Sequence, residues 1–145
     1  MYQAFLHSHS LFRYFVLAVL ILVIVKSAMG FLNKRPYTAG DGKTMVIALV
    51  MSHLQLVLGV ILFFVSPAVK FGGETMSDPI TRYWTVEHSV MMVIALVLIT
   101  MARTTSKKMT DDSAKHKRVF IFNAVALLII ILTISMSGRG IIIPN

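Results

Sequence analysis

His53 lies in the middle of an uncharged apolar run, residues 44–66, and His88 lies in a second apolar run, residues 83–102. An ionisable side chain at membrane depth is costly, so each is a candidate functional residue. Neutral imidazole is also the side chain suited to holding an iron or copper centre inside a helix bundle. Counted from the same end of the bundle, His88 is nine residues from Pro79, about 14 Å at helical rise, and His53 is thirteen residues from Ser66, about 20 Å. His53 and His88 are therefore the first candidate metal ligands, offered by adjacent helices. The competing role for each is an interhelical hydrogen bond to a serine or a carbonyl.

Three further residues join them. Residues 2–6 (YQAFL) are apolar enough to extend the first helix backward, which would bring His7 and His9 to the membrane edge. His9 is then a candidate third ligand or an interfacial residue, whereas His7 and His116 are expected to be solvated. Arg13 follows His9 by one turn, and Glu87 directly precedes His88. An intramembrane Arg13–Glu87 ion pair would neutralise two costly charges, and a carboxylate beside an imidazole would orient it. The alternative role for the pair is to lock the first helix to the third.

The elements that must position these groups follow from composition. Of 145 residues, 57% are hydrophobic and only 14% are charged. Four windows are long enough to cross roughly 30 Å of hydrocarbon: about residues 11–32, 44–66, 79–102 and 119–136. The expected fold is all-α, a single integral membrane four-helix bundle over residues 1–145. The N-terminus lacks a basic region followed by a short apolar core and a small-residue cleavage site, so the first span is expected to stay in the mature protein. There is no cysteine. Disulfides, thiolate metal sites, covalent c-type haem attachment and cysteine nucleophiles are thereby excluded.

The charge of +8 is unevenly placed. Lys34, Arg35 and Lys43 follow the first span, and Arg103, Lys107, Lys108, Lys115, Lys117 and Arg118 lie between the third and fourth. The opposite side holds Lys70, Arg82 and Arg139. The positive-inside rule puts the basic loops in the cytoplasm and both termini on the outer, periplasmic face. Basic loops beside anionic head groups account for the charge, and no aromatic-interleaved basic patch points to nucleic acid.

Local signals refine the helices. Asp78 and Pro79 form a helix start, and Asp111 and Asp112 another. Ala48, Ser52, Gln55 and Gly59 form a stripe on the second helix that reads as close packing, with His53 about 100° from Ser52 and so beside the seam. Arg13, Arg82 and Lys70 are candidate partners for anionic groups. The ten methionines form no M-x-x-M series, which weighs against copper transport. The last span holds Asn123 and no histidine, and reads as scaffold.

The segments HSHSLFRYFVL (7–17), SHLQLVLGVILFFVSP (52–67) and TVEHSVMMVIALVLIT (85–100) resemble small bacterial four-helix membrane proteins catalogued as cytochrome b-like. The resemblance implies one haem b, with His53 and His88 as axial candidates and His9 as a competitor. It implies an electron carrier of the bacterial inner membrane, working between a quinol pool or membrane dehydrogenase and an outer-face acceptor, with other membrane subunits as partners. The chain departs from larger dihaem cytochromes b in having too few intramembrane histidines for two bis-ligated haems. A quinone is a second candidate ligand. The alternative function is a cofactor-free accessory subunit of a larger respiratory or transport complex.

Overall fold

Each of the four apolar windows becomes a helix, and three of the four helices begin earlier than hydropathy places them. The computed structural model describes residues 1–138. Arg139 and the C-terminus, both used in the charge argument, lie outside the described residues. The helices are α1 (Tyr2–Leu32), α2 (Ala39–Val65), α3 (Pro79–Ser106) and α4 (Asp112–Ser135), each long and apolar enough to cross a membrane. No strand occurs among the described residues.

The early starts have local causes. Residues 2–6 do extend α1 backward, carrying His7 and His9 into the helix. α2 starts at Ala39, ahead of the apolar window at residue 44, because Thr38 and Asp41 form a reciprocal capping box. Asp78 and Asp111 cap α3 and α4, accepting from the amides of Thr81 and Ala114. Bonds from the Thr81 hydroxyl and amide hold the Asp78 carboxyl below its ordinary pKa. Its capping contribution is therefore full above the ordinary carboxylate range and is lost as pH falls below it.

α1 packs on α2 and on α4, and α3 packs on α4, whereas the α2–α3 seam is the loosest of the neighbouring contacts. α1 and α3 thus face each other diagonally. The core comprises Val16, Leu20 and Val23 of α1, Met45 and Ala48 of α2, Ala95, Ile99 and Ala102 of α3, and Val119, Ala126, Ile130 and Ile134 of α4. Its alanines let the backbones approach closely, which substitutes for a hydrophobic driving force inside lipid. Large apolar side chains such as Phe15, Ile47, Val57, Val97 and Leu128 point outward.

At the basic end, the bundle is closed by a polar knot. Lys34 takes a left-handed conformation (φ 52°) after α1. The Arg35 amide then reaches back to the Gly30 carbonyl at 2.9 Å, the long bond of a Schellman ending. Arg35 grips Asp41 through both guanidinium nitrogens, at 2.8 and 2.9 Å, and Lys26 adds a third contact at 3.5 Å. Asp41 in turn accepts from the Thr38 amide and hydroxyl.

His116 belongs to this knot, which corrects the expectation that it is solvated. His116 lies in the first turns of α4, among exposed or half-buried basic neighbours, but on the face that packs against α1, and is fully buried. Its Nε2 is 3.1 Å from the Arg35 carbonyl, and its ring packs on Tyr37 with centroids 5.0 Å apart. Gly30 supplies the room, since a Cβ there would overlap the imidazole. Asn123 is also fully buried, donating to the Val119 carbonyl at 2.8 Å and approaching the Met45 sulfur at 3.3 Å.

Gly30→Ala should lower stability by about 1–3 kcal/mol through overpacking against a ring that has no room to move. Lys34→Gly should raise it by about 0.5–1 kcal/mol, because glycine adopts the left-handed conformation without a steric penalty. Melting temperatures of the purified variants in detergent check both signs.

Candidate functional site

At the end of the bundle opposite the knot, a cavity of about 470 Å³ separates α1 from α3. His9 from α1 and His88 from α3 both line it, with ring centroids 6.5 Å apart and planes at 68°. Two metal–nitrogen bonds of about 2 Å, with about 1.1 Å from each nitrogen to its ring centroid, would place such rings roughly 6 Å apart. The spacing therefore leaves room for one metal ion between the two imidazoles.

α2 positions His9. The Gln55 amide donates to the His9 backbone carbonyl at 2.9 Å, and a Cβ at Gly59 would stand 3.3 Å from His9 Cε1. The stripe Ala48, Ser52, Gln55 and Gly59 thus is a packing seam, and the surface it meets is α1. His53 lies beside that seam and is exposed on the outside of the bundle. Its Nδ1 is 2.7 Å from the Leu49 carbonyl of its own helix. The structure therefore does not bring His53 together with His88, although the two histidines lie on adjacent helices. It brings His9 there instead.

α3 positions His88 through a π-helical segment, Tyr83–Glu87. The His88 amide bonds to the Tyr83 carbonyl, five residues back rather than four. One extra residue in the turn stacks side chains at i and i+5 on one face, as happens at many functional π-bulges. Two consequences follow. The Tyr83 hydroxyl lies 3.5 Å from His88 Nδ1 while donating to the Thr133 carbonyl at 2.5 Å, so its oxygen is left to accept from Nδ1–H. That tautomer would leave the other ring nitrogen of His88 free to accept a hydrogen bond or to hold a metal ion. The same stacking sets Arg82 beside Glu87, whose Oε1 is 2.8 Å from Arg82 Nε.

The Arg82 contact replaces the expected Arg13–Glu87 ion pair. Arg13 lines the cavity and has no carboxylate within ion-pair distance among the described residues. Its Nε, with His9 Nδ1 and Gln55 Oε1, is buried without a hydrogen-bond partner. Of the other candidate cations, Arg82 is held by Glu87 and the Met76 carbonyl, and Lys70 is exposed. The remaining wall is largely apolar, including Leu17, Leu56, Phe63, Met92 and Leu96, with the Trp84 ring 5.4 Å from that of His88. Two neighbouring imidazoles, a cation whose described contacts are to the Tyr14 hydroxyl and ring rather than to a carboxylate, and a largely apolar wall would suit a flat, apolar, metal-bearing ligand with an anionic edge.

Compared with protein-family models, curated proteins and solved structures, the chain matches none of them. The cavity's chemistry alone carries the functional reading.

Stability losses from Arg13→Leu and Glu87→Leu should add, because the two groups do not touch. Arg82→Leu and Glu87→Leu should couple, by roughly 0.2–1 kcal/mol for a pair about one-third exposed. Double-mutant cycles on detergent melting separate these outcomes, and coupling between Arg13 and Glu87 would return the ion pair to those residues.

Proposed function

We propose that this protein is a membrane-bound haem b electron carrier whose axial ligands are His9 and His88. The observation that carries the reading is the pair of imidazoles from two helices that line one cavity with ring centroids 6.5 Å apart. A bound haem would supply one-electron chemistry. The chain's own groups do the rest. His9 and His88 hold the metal from opposite helices, and Gln55 and Gly59 fix the height and closeness of His9. Tyr83 keeps His88 in one tautomer, with a hydrogen bond that raises its basicity. Arg13 would compensate an anionic group at the cavity end of α1, where it has no carboxylate within ion-pair distance among the described residues. The apolar wall excludes water, which keeps the ligand in place and limits reorganisation around a changing charge.

His53, placed as a first ligand by its depth, becomes a lipid-facing residue in this reading, and Glu87 a partner of Arg82. The donor is a quinol pool or a membrane dehydrogenase and the acceptor lies at the outer face of a bacterial inner membrane. Six of the basic residues lie on or next to the α3–α4 connection, far from the cavity, which supports an outer position for the site. The second reading, a cofactor-free accessory subunit, draws support from His116, a buried histidine engaged in helix packing.

Oxidised and reduced absorption spectra of the detergent-purified protein test the proposal. Reduced α and Soret bands are expected, and a featureless visible region would favour the accessory subunit. His9→Ala or His88→Ala should abolish or convert the low-spin spectrum, whereas His53→Ala and His116→Ala should preserve it. Tyr83→Phe should retain the low-spin spectrum and raise the midpoint potential, since a less basic His88 stabilises the oxidised iron less. For orientation, a cysteine at Lys108 in intact cells should resist an impermeant thiol reagent and one at Met76 should react; the native absence of cysteine leaves no background.

A further inference from the structure

At the basic end of the bundle, a groove between α2 and the α3–α4 junction is lined by Tyr37, Lys43, Val46, Ile47, Arg103 and Lys115. Its polar half is uniformly cationic. Arg103, in the last turn of α3, lies across the start of α2, its Nη1 3.3 Å from where a Cβ at Gly42 would stand. Lys115 Nζ sits 5.5 Å from the Tyr37 ring centroid. Neither of these cations, nor Lys43, has a carboxylate within ion-pair distance among the described residues. The nearby Asp41 is already engaged by Arg35 and Lys26. The Tyr37 hydroxyl, shielded from water, has no hydrogen-bond partner. The other half is apolar, with Val46 and Ile47 36% and 51% exposed along α2.

Three unmatched cations beside an unpartnered hydroxyl call for an anion with several acceptor oxygens. An exposed apolar strip leading away from them calls for a hydrocarbon chain on the same molecule. The groove also lies where the charged ends of α2, α3 and α4 give way to their apolar lengths, the depth of a phospholipid head group. We propose that it binds one anionic phospholipid, its phosphate among Lys43, Arg103 and Lys115 and its first acyl methylenes on Val46 and Ile47. The site is independent of the haem reading and requires only that the helices lie in a membrane. Bound there, the lipid joins α2 to α3 and α4 on the side of the bundle where α2 and α3 touch least.

The test is native mass spectrometry of the full chain in detergent, titrated with phosphatidylglycerol or with phosphatidylcholine of the same chains. One phosphatidylglycerol should be retained, about tenfold more tightly than phosphatidylcholine, given the contribution of each basic residue near an anionic head group. Lys43→Gln, Arg103→Gln and Lys115→Gln should each weaken it about fivefold, whereas Lys107→Gln and Lys108→Gln, with the same loss of net charge, should not. If Arg103→Gln does not fold, the Lys43 and Lys115 variants decide. Equal retention of the two lipids, or equal effects of all five substitutions, would overturn a specific site. Displacement of the lipid by millimolar inorganic phosphate would make this a free-anion site and overturn the lipid assignment.

Discussion

A polar group carried into an apolar environment must find its partner within the protein, and the two ends of this bundle meet that constraint in opposite ways. At the basic end Asp41 is enclosed by Arg35, Lys26 and Thr38, and the His116 ring fills the space left by Gly30. Removal of Arg35 would leave the buried Asp41 carboxylate with Lys26, at 3.5 Å, as its remaining ion-pair contact among the described residues. At the other end His9, Arg13 and Gln55 keep buried polar atoms without partners around a cavity. Tyr37 Oη and His116 Nδ1 at the basic end are likewise buried without partners; what distinguishes the other, open end is that its three unpartnered residues line a cavity of about 470 Å³.

The open end depends on the π-helical segment of α3. In a regular α-helix Tyr83 and His88 would be separated by 500° of rotation, about 140° apart around the axis, and the tyrosine could not support the imidazole. The wider turn aligns them, with Tyr83 anchored in turn on the Thr133 carbonyl of α4. It also aligns Arg82 with Glu87, so that among the described residues Arg13 has no carboxylate at ion-pair distance. A single change in helical pitch thus sets both the orientation of His88 and the pairing of Glu87.

α2 contributes to both ends. Its small-residue seam of Ala48, Ser52 and Gly59 lets α1 approach closely enough for Gln55 to reach the His9 carbonyl. At its start, the capping box that begins the helix also sets Asp41 in the grip of Arg35. Against α3 the same helix makes few contacts, leaving the basic groove flanked by Lys43 and Arg103. The reading of the cavity as a redox site and of the groove as a lipid site therefore rests on one packing arrangement, in which α2 is committed to α1.

Helix number, approximate spans, the Asp78 and Asp111 starts and the packing stripe on α2 were all legible in the sequence. Each depends on local properties: hydropathy summed over a window, a capping side chain three residues from an amide, or small residues at a helical repeat. Depth could be read in the same way, because rise per residue is nearly constant, and it correctly marked His88 as lying within a helix. Rotation could not. Whether a histidine points inward depends on which helices become neighbours and on the pitch between it and the helix start, and neither quantity is local. His53 faces outward because α2 spends its seam on α1. His9, at the edge of its span, faces inward across the bundle to His88. His116 looked solvated because it stands among Lys115, Lys117 and Arg118 in the first turns of α4, and only the packing of α4 on Gly30 of α1 turns its ring inward. Position along each helix was thus readable from local signals, whereas which side chains meet followed from helix rotation and the choice of packing partner, which arise only when the four helices pack.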